Sequence, residues 1–130
     1  MKVVHVAVGV VINNQDQVLI TKRPEKAHQG GLWEFPGGKV EADETVAMAL
    51  HREFQEEVDI VLNKTSPLLD VKHDYGDKCV LLDVHLCRDF NGQAKALEGQ
   101  ELRWVARSAL ADYDFPEANR AILKAVLALL

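Results

Sequence analysis

The chain has 130 residues, of which 48% are hydrophobic, and its formal net charge at pH 7 is −5. This length and composition predict one domain with a single hydrophobic core. The negative charge argues against a binding surface for long nucleic acids, but it is compatible with a small phosphorylated ligand that a metal ion bridges to the protein.

The cysteines and the apolar runs indicate the compartment. Cys79 and Cys87 match no paired metal-binding spacing, so we interpret them as free thiols in a reducing environment. The apolar start of the chain lacks a signal-peptide cleavage site, and no apolar run is long enough to span a bilayer. We therefore expect a cytoplasmic protein that does not contact a membrane.

Two β-type runs begin the chain, at residues 3–12 and 17–23. Residues 13–16, Asn-Asn-Gln-Asp, have the composition of a hairpin turn between them. Pro24 predicts that the second strand ends there and that a loop follows through Gly31. Loops of this kind often carry functional residues.

The middle of the chain predicts a helix over about residues 44–58, with Asp43 as its N-cap. Glu44 falls roughly opposite the other helical glutamates, so we expect it to act at the helix start or to pair with Arg52. At 100° per residue, one arc of this helix is apolar and can face a core. Its members are Ala47, Leu50, Phe54 and Val58.

Beside the apolar arc, offsets of three and four residues place Glu53, Glu56 and Glu57 on one side of the helix. Three like charges so close repel one another, and a hard divalent cation would offset that repulsion. A solvated acidic face is the alternative interpretation. Gly37 and Gly38 favour a ligand site, because residues without side chains let backbone groups approach a ligand.

The second half of the chain predicts strands at residues 67–73, 79–87 and 102–105. Residues 74–77 suit a turn between the first two. From Pro116 onward, an almost wholly apolar helix is expected to be buried. This order of elements predicts an α/β fold with a mixed β-sheet between helices.

Residues 38–60 resemble the signature of the Nudix hydrolases. The positions in register are Gly38, Glu44, Arg52, Glu53, Phe54, Glu56, Glu57 and Ile60. Asp59 stands where the family usually has Gly, and Asp tolerates the left-handed helix end at a modest cost. The resemblance covers essentially the whole chain, and it implies one Nudix hydrolase domain over residues 1–130 with an α/β/α sandwich fold.

Four further segments resemble the MutT branch of that family: residues 21–24, 27–39, 98–100 and 114–119. This resemblance implies metal-dependent hydrolysis of 8-oxo-dGTP to the monophosphate and pyrophosphate, which prevents mutation. We also expect a monomer that acts on a small nucleoside triphosphate and, from its negative charge, not on a nucleic acid polymer. The expected cofactor is Mg²⁺, with Mn²⁺ as a substitute.

The same resemblance assigns the site residues. Around the nucleotide it implies Arg23, His28, Glu34, Phe35, Pro36, Gly37 and Asn119. For the metal it implies the Gly37 carbonyl with Glu53, Glu56, Glu57 and Glu98. Either Glu53 or Glu98 would act on the attacking water, with Glu53 as the first choice. Taken alone, four of these residues are typical of surface or loop positions, and their joint spacing favours a site; they are Arg23, His28, Glu98 and Asn119.

Two alternatives remain open. Residues 31–35 also resemble relatives that hydrolyse CTP or methylated dCTP. A non-catalytic nucleotide-binding module is the more remote alternative, because it predicts loss of the acidic trio, yet Glu53, Glu56 and Glu57 are all present.

Overall fold

The structure is a computed structural model that describes residues 2–24 and 30–129. Its strands and helices follow one another along the chain. They are β1 (Lys2–Val11), β2 (Gln17–Lys22), β3 (Trp33–Glu34), β4 (Gly37–Lys39), α1 (Val46–Val58), β5 (Val61–Asp74), β6 (Lys78–Asn91), β7 (Leu102–Ala106), 3-10 turns at Arg107–Asp112 and Glu117–Asn119, and α2 (Arg120–Leu127).

The described strands form two sheets. The larger has the order β4-β1-β6-β5, with β1 and β6 parallel and the outer pairs antiparallel. The smaller is antiparallel, with the order β3-β2-β7. The predicted α/β class with a mixed sheet is therefore confirmed. The predicted turn at residues 13–16 is also present, although β1 and β2 continue into different sheets from it.

Helices cover both faces of the mixed sheet because side chains alternate along its strands. On one face, Ala7 and Val11 of β1 pack in the cluster that contains Phe54 of α1. On the other, Val8 and Val10 pack in the cluster that contains residues of α2. The fold is thus a sheet between two helices, and α1 is fixed against β1 by a fully buried aromatic ring.

The ends of α1 are set by two residues. Thr45 is the N-cap, and its hydroxyl accepts the N–H of Met48 at 3.1 Å. The prediction of Asp43 was wrong because the helix begins two residues later than expected. At the other end, Asp59 has φ 60° and ψ 36°, and its N–H bonds to the Phe54 carbonyl. The left-handed end expected for Asp59 is confirmed.

The apolar arc of α1 differs from the prediction at one position. Ala49, Leu50, Phe54 and Val58 are buried. Ala47 is exposed, because it lies in the first helical turn beside an open surface groove.

The paired strands β5 and β6 extend well beyond the predicted ranges. Irregularities interrupt the pairing between Leu62 and Leu69, so the regular alternation that marks a strand in sequence is lost there. The turn between the strands lies where it was expected, with Gly76 at φ 95°.

The C-terminal segment differs from the prediction of a continuous buried helix. It begins with a 3-10 turn, and α2 starts only at Arg120. Within α2, Ile122 and Val126 are buried, whereas Leu127 is 44% exposed. One face of this short helix is enough to cover the sheet. Among the residues described, no helix combines the length and the apolar character that crossing a membrane requires.

Candidate active site

A cavity of about 350 Å³ opens beside β1, β3 and β4 and the segment that leads into α2. Six residues that the sequence assigned to the nucleotide or the metal line it: Arg23, Glu34, Phe35, Gly37, Glu57 and Asn119. Pro36 is buried next to them, and its carbonyl accepts the Gly9 N–H at 2.9 Å. His28 lies outside the described residues. Positions scattered over the chain therefore meet at one site.

Gly37 and Gly38 belong to β4 and lie under the signature helix. A Cβ at Gly37 would collide with the Ala7 carbonyl oxygen, and a Cβ at Gly38 would collide with the carboxylate of Glu53. Gly37 therefore has to be glycine, because its obstacle is backbone, whereas a side chain at Gly38 would displace the carboxylate of Glu53. The group that approaches Gly38 is thus the side chain of Glu53, which the sequence analysis favoured for acting on the attacking water.

Glu53 is held by its neighbour in sequence. Arg52 donates to the Glu53 carboxylate at 2.8 Å, and to the Lys39 carbonyl at 3.1 Å. Burial raises the pKa of Glu53 above its usual value, while the hydrogen bond and charge of Arg52 act in the opposite direction. Repulsion from Glu56 and Glu98 adds to the rise. Glu53 is thus a fixed, partly desolvated carboxyl group.

The pKa of Glu57 is shifted further than that of Glu53. Burial, followed by repulsion from Glu53, Glu98 and Glu34, raises the pKa of Glu57 from 4.5 to about 8. A hydrogen bond from the backbone of Gly37 opposes the shift. The ionised form of Glu57 is therefore unfavourable unless positive charge lies nearby.

The remaining two carboxylates of the predicted metal set are more open. Glu56 has a side chain that is 57% exposed, at the solvent side of α1. Glu98 lies on the loop before β7, and with Glu34 and Glu57 it lines a second cavity of about 120 Å³. Glu57 and Glu34 line both cavities, so the two cavities are adjacent and share these two carboxylates.

The carboxylates of Glu53 and Glu98 lie close enough to raise the pKa of Glu57, but the described carboxylates do not form a finished metal centre. Within residues 2–24 and 30–129, no group of three or more His, Cys, Asp or Glu side chains could hold a metal ion as it stands. The donor chemistry nevertheless suits a hard divalent cation, because carboxylate and backbone oxygens are its preferred ligands. The raised pKa of Glu57 points the same way, since a cation stabilises the ionised form.

Part of the cavity lining is suited to a flat ring with polar edges. Asn119 ends the 3-10 turn before α2, and its side chain makes no capping hydrogen bond. Near it, Phe35 stacks on Phe115 with ring centroids 5.1 Å apart. Apolar side chains line the same cavity as Asn119; they are Val6, Val8, Leu82, Pro116 and Ala118.

Arg23 and Glu34 meet in the lining of the cavity, where Arg23 donates to Glu34 at 2.7 Å. Arg23 also closes the loop after β2, because its N–H bonds to the Leu32 carbonyl and its carbonyl accepts the N–H of Gly31. The described residues on either side of the segment that contains His28 are therefore joined to each other next to the cavity residue Arg23.

A sequence profile described as the NUDIX domain matches residues 7–125. The chain belongs to the Nudix family. Nudix hydrolases generally need a divalent metal ion and act on small nucleotides.

Three known proteins are similar to this chain over nearly its whole length. The 8-oxo-dGTP diphosphatase of Escherichia coli (strain K12) is 35% identical over 123 residues, which are 95% of each protein. The CTP pyrophosphohydrolase of the same strain is 33% identical over 99% of this chain and 95% of its own. A structure from a study of MutT from Aliivibrio salmonicida and Vibrio cholerae superposes with a TM-score of 0.88, at 40% identity and 98% coverage of both chains.

The Nudix signature also contains a structural pair that the sequence predicted. Arg52 donates to both carboxylate oxygens of Glu44, each at 2.8 Å. This lowers the pKa of Glu44 to about 2 and raises that of Arg52. The predicted pairing of Glu44 with Arg52 is confirmed.

Several lining residues were missed from the sequence. Tyr75 occupies a turn, and Lys39 follows the two glycines, so neither carried a signal of its own. Val6 and Val8 could have been found, because the alternation along β1 places both on the same face of the sheet.

Proposed function

We propose that this Nudix protein hydrolyses 8-oxo-dGTP to 8-oxo-dGMP and pyrophosphate, and so removes an oxidised, mutagenic nucleotide. One observation carries the proposal: a single cavity is lined by the carboxyl group of Glu57, by the amide of Asn119 and by apolar side chains. A triphosphate and a base need these two environments. The names of the Escherichia coli and MutT relatives support the choice of nucleotide.

Asn119 would read the edge that oxidation changes. In 8-oxoguanine, N7 carries a proton beside the acceptor O6, whereas guanine presents two acceptors on this edge. The Asn119 amide offers an acceptor oxygen and a donor nitrogen together, so it fits the oxidised edge. In a cavity with apolar walls, a mismatched polar group costs about 1–3 kcal/mol. This cost is the proposed source of selectivity.

The remaining nucleotide contacts come from the cavity lining and floor. Arg23 supplies positive charge, and Glu34 orients it through their hydrogen bond. Phe35, Pro36 and Gly37 shape the floor. His28, on the loop outside the described residues, completes the proposed set.

Mg²⁺, with Mn²⁺ as a substitute, is the proposed metal. Glu53, Glu56, Glu57, Glu98 and the Gly37 carbonyl would hold it. Bound there, it would neutralise phosphate charge and make water a better nucleophile. Without that charge, the carboxylates would repel the triphosphate.

Glu53 is the proposed general base for the water that attacks the β-phosphorus, and Glu98 is the alternative. Burial moves the pKa of Glu53 upward, toward the range in which a carboxylate accepts protons well. Arg52 keeps its carboxylate in one position.

We propose that the protein works as a monomer in the cytoplasm and that its substrate is a free nucleotide. The net charge of −5 supports a small ligand over a nucleic acid polymer.

CTP is the second candidate substrate, because the CTP pyrophosphohydrolase is similar over almost the whole chain. The test is a comparison of kcat/KM for 8-oxo-dGTP, dGTP, CTP, methyl-dCTP, ADP-ribose and dinucleoside polyphosphates, with and without Mg²⁺. We expect 8-oxo-dGTP to exceed dGTP by at least about 10²-fold. A preference for CTP would select the second candidate, and no turnover of any compound would support a non-catalytic module.

A further inference from the structure

The loop between β6 and β7 carries Glu98 and is attached to the end of α1. The N–H of Lys95 donates to the Val58 carbonyl at 2.9 Å, and the N–H of Leu97 donates to the Glu57 carbonyl at 3.0 Å. The last carbonyls of a helix have no partner within the helix, so the loop satisfies them. Glu98 follows directly after these contacts.

Gln100 adds a side-chain connection between the same two elements. Its Nε2 donates to the Glu57 carbonyl at 3.2 Å, and its Oε1 accepts the backbone N–H of Glu98 at 3.0 Å. Both ends of the amide are used, and a rotated amide would place its oxygen against the Glu57 carbonyl. Gln100 also lines the cavity of about 120 Å³ that Glu57 and Glu98 share.

Packing does not fix Glu98, because the residue is exposed. The chain after it reverses direction at Gly99, where φ is 75° and a Cβ would meet nothing within 4 Å. Backbone hydrogen bonds hold the neighbouring residues, from the N–H of Leu97 to the Glu57 carbonyl and from the N–H of Gly99 to the Ala96 carbonyl, whereas the N–H of Glu98 itself is held by the side chain of Gln100.

We propose that Gln100 is a positioning residue that holds Glu98 opposite Glu57 across their shared cavity. The inference rests on the proposed function, in which both carboxylates act on the metal and the triphosphate. Groups that orient a metal ligand commonly affect metal affinity or activity by about 10–100-fold.

Replacing Gln100 is expected to act locally. The bonds of Lys95 and Leu97 to α1 are made by the backbone. At the other end of the loop, the Glu101 carbonyl accepts the N–H of Lys22 at 3.0 Å. The loop therefore stays attached on both sides when the Gln100 amide is lost.

The test uses Gln100→Met, which keeps the length of the side chain and removes both hydrogen bonds. Gln100→Glu is the second variant: it keeps the acceptor for Glu98 but places an oxygen against the Glu57 carbonyl. Gln93→Met is the matched control, because Gln93 is an exposed glutamine of the same loop. The melting temperature of each variant is measured first, and only variants that match the wild type in melting temperature are compared.

Amide hydrogen exchange and the broadening of amide NMR signals by paramagnetic Mn²⁺ are two readouts that do not depend on turnover. In Gln100→Met, the Glu98 amide should exchange at least about 10-fold faster than in the wild type, because it loses its acceptor. Mn²⁺ should broaden the Glu57 and Glu98 amide signals at the same concentration in the wild type. In the variant, broadening of Glu98 should require more Mn²⁺.

The kinetic readout is a split between kcat and KM. We expect Gln100→Met to lower kcat about 10-fold and to raise the Mg²⁺ concentration for half-maximal rate several-fold, with KM for 8-oxo-dGTP changed by less than about 2-fold. The proposal would be overturned if Gln100→Met kept the wild-type exchange rate of the Glu98 amide, the wild-type broadening by Mn²⁺ and the wild-type dependence of the rate on Mg²⁺. A wild-type protein that turns over no nucleotide would instead contradict the proposed function, and the exchange and broadening results would still decide the role of Gln100.

Discussion

Asn119 is the residue on which substrate selectivity depends in the proposed function. Its side chain is not used to cap α2, and it lines the cavity beside apolar walls. Asn119→Ala should lower the ratio of kcat/KM for 8-oxo-dGTP over dGTP by at least about 10-fold, because one matched polar pair is lost. Metal-dependent turnover should remain.

The control for this variant is Asn14→Ala, since Asn14 is an exposed asparagine in the turn between β1 and β2. It should keep the wild-type ratio. An unchanged ratio in Asn119→Ala would remove Asn119 from base recognition.

Glu53 is the residue on which the chemical step depends. Glu53→Gln removes the proton acceptor and keeps the side chain's size, so kcat at saturating Mg²⁺ should fall by at least about 10²-fold. Glu41→Gln serves as the control, because Glu41 is 69% exposed and lies 3.7 Å from Arg52. Turnover near the wild-type rate in Glu53→Gln, with a large loss in Glu98→Gln, would transfer the role of base to Glu98.

Single residues differ in how far the sequence could predict them. The carboxylates of α1 follow from helical spacing, because neighbours three and four apart share a face. Asn119 and Glu98 gave no local signal, and the resemblance to the Nudix family suggested them. Gln100 could not be predicted, since its role depends on hydrogen bonds across 43 residues of sequence.

At the scale of elements, the segment just before α1 is tied to the middle of α1 by the pair of Glu44 and Arg52. The pKa of Glu44 is lowered in the folded protein from 4.5 to about 2. A lowered folded-state pKa gives stability that is present above the unfolded value and is lost as pH falls toward the folded one. The contribution of Glu44 should therefore disappear between about pH 4.5 and pH 2.

Urea unfolding of the wild type and of Glu44→Gln, compared from pH 7 to pH 2, measures this contribution. The variant should be less stable at pH 7, and the difference should shrink through the acid range. A difference that stays constant down to pH 2 would contradict an ionised Glu44 in the folded protein.

The elements themselves were predicted unevenly for physical reasons. The core face of α1, apart from Ala47, and the left-handed Asp59 followed from periodicity and from the conformational tolerance of Asp. The N-cap was misplaced because Asp43 and Thr45 are both favourable caps. The first half of β5 was missed because bulges interrupt its alternation.

At the scale of the whole molecule, the fold brings together groups that are far apart in sequence. Arg23 follows β2 of the small sheet, Glu57 lies on α1 over the mixed sheet, and Asn119 precedes the last helix, yet all three line one cavity. Composition and periodicity predicted the sheet and its helices. They could not predict this convergence, because it depends on how two sheets are placed against each other.

The most direct test of the site is a crystal structure of the protein with 8-oxo-dGMP and Mn²⁺, with the metal located by anomalous scattering. The proposed function predicts Mn²⁺ between the phosphate and the carboxylates of Glu53, Glu57 and Glu98, and the base against Asn119. A nucleotide bound elsewhere, with these carboxylates directed into solvent and no anomalous signal beside them, would contradict it.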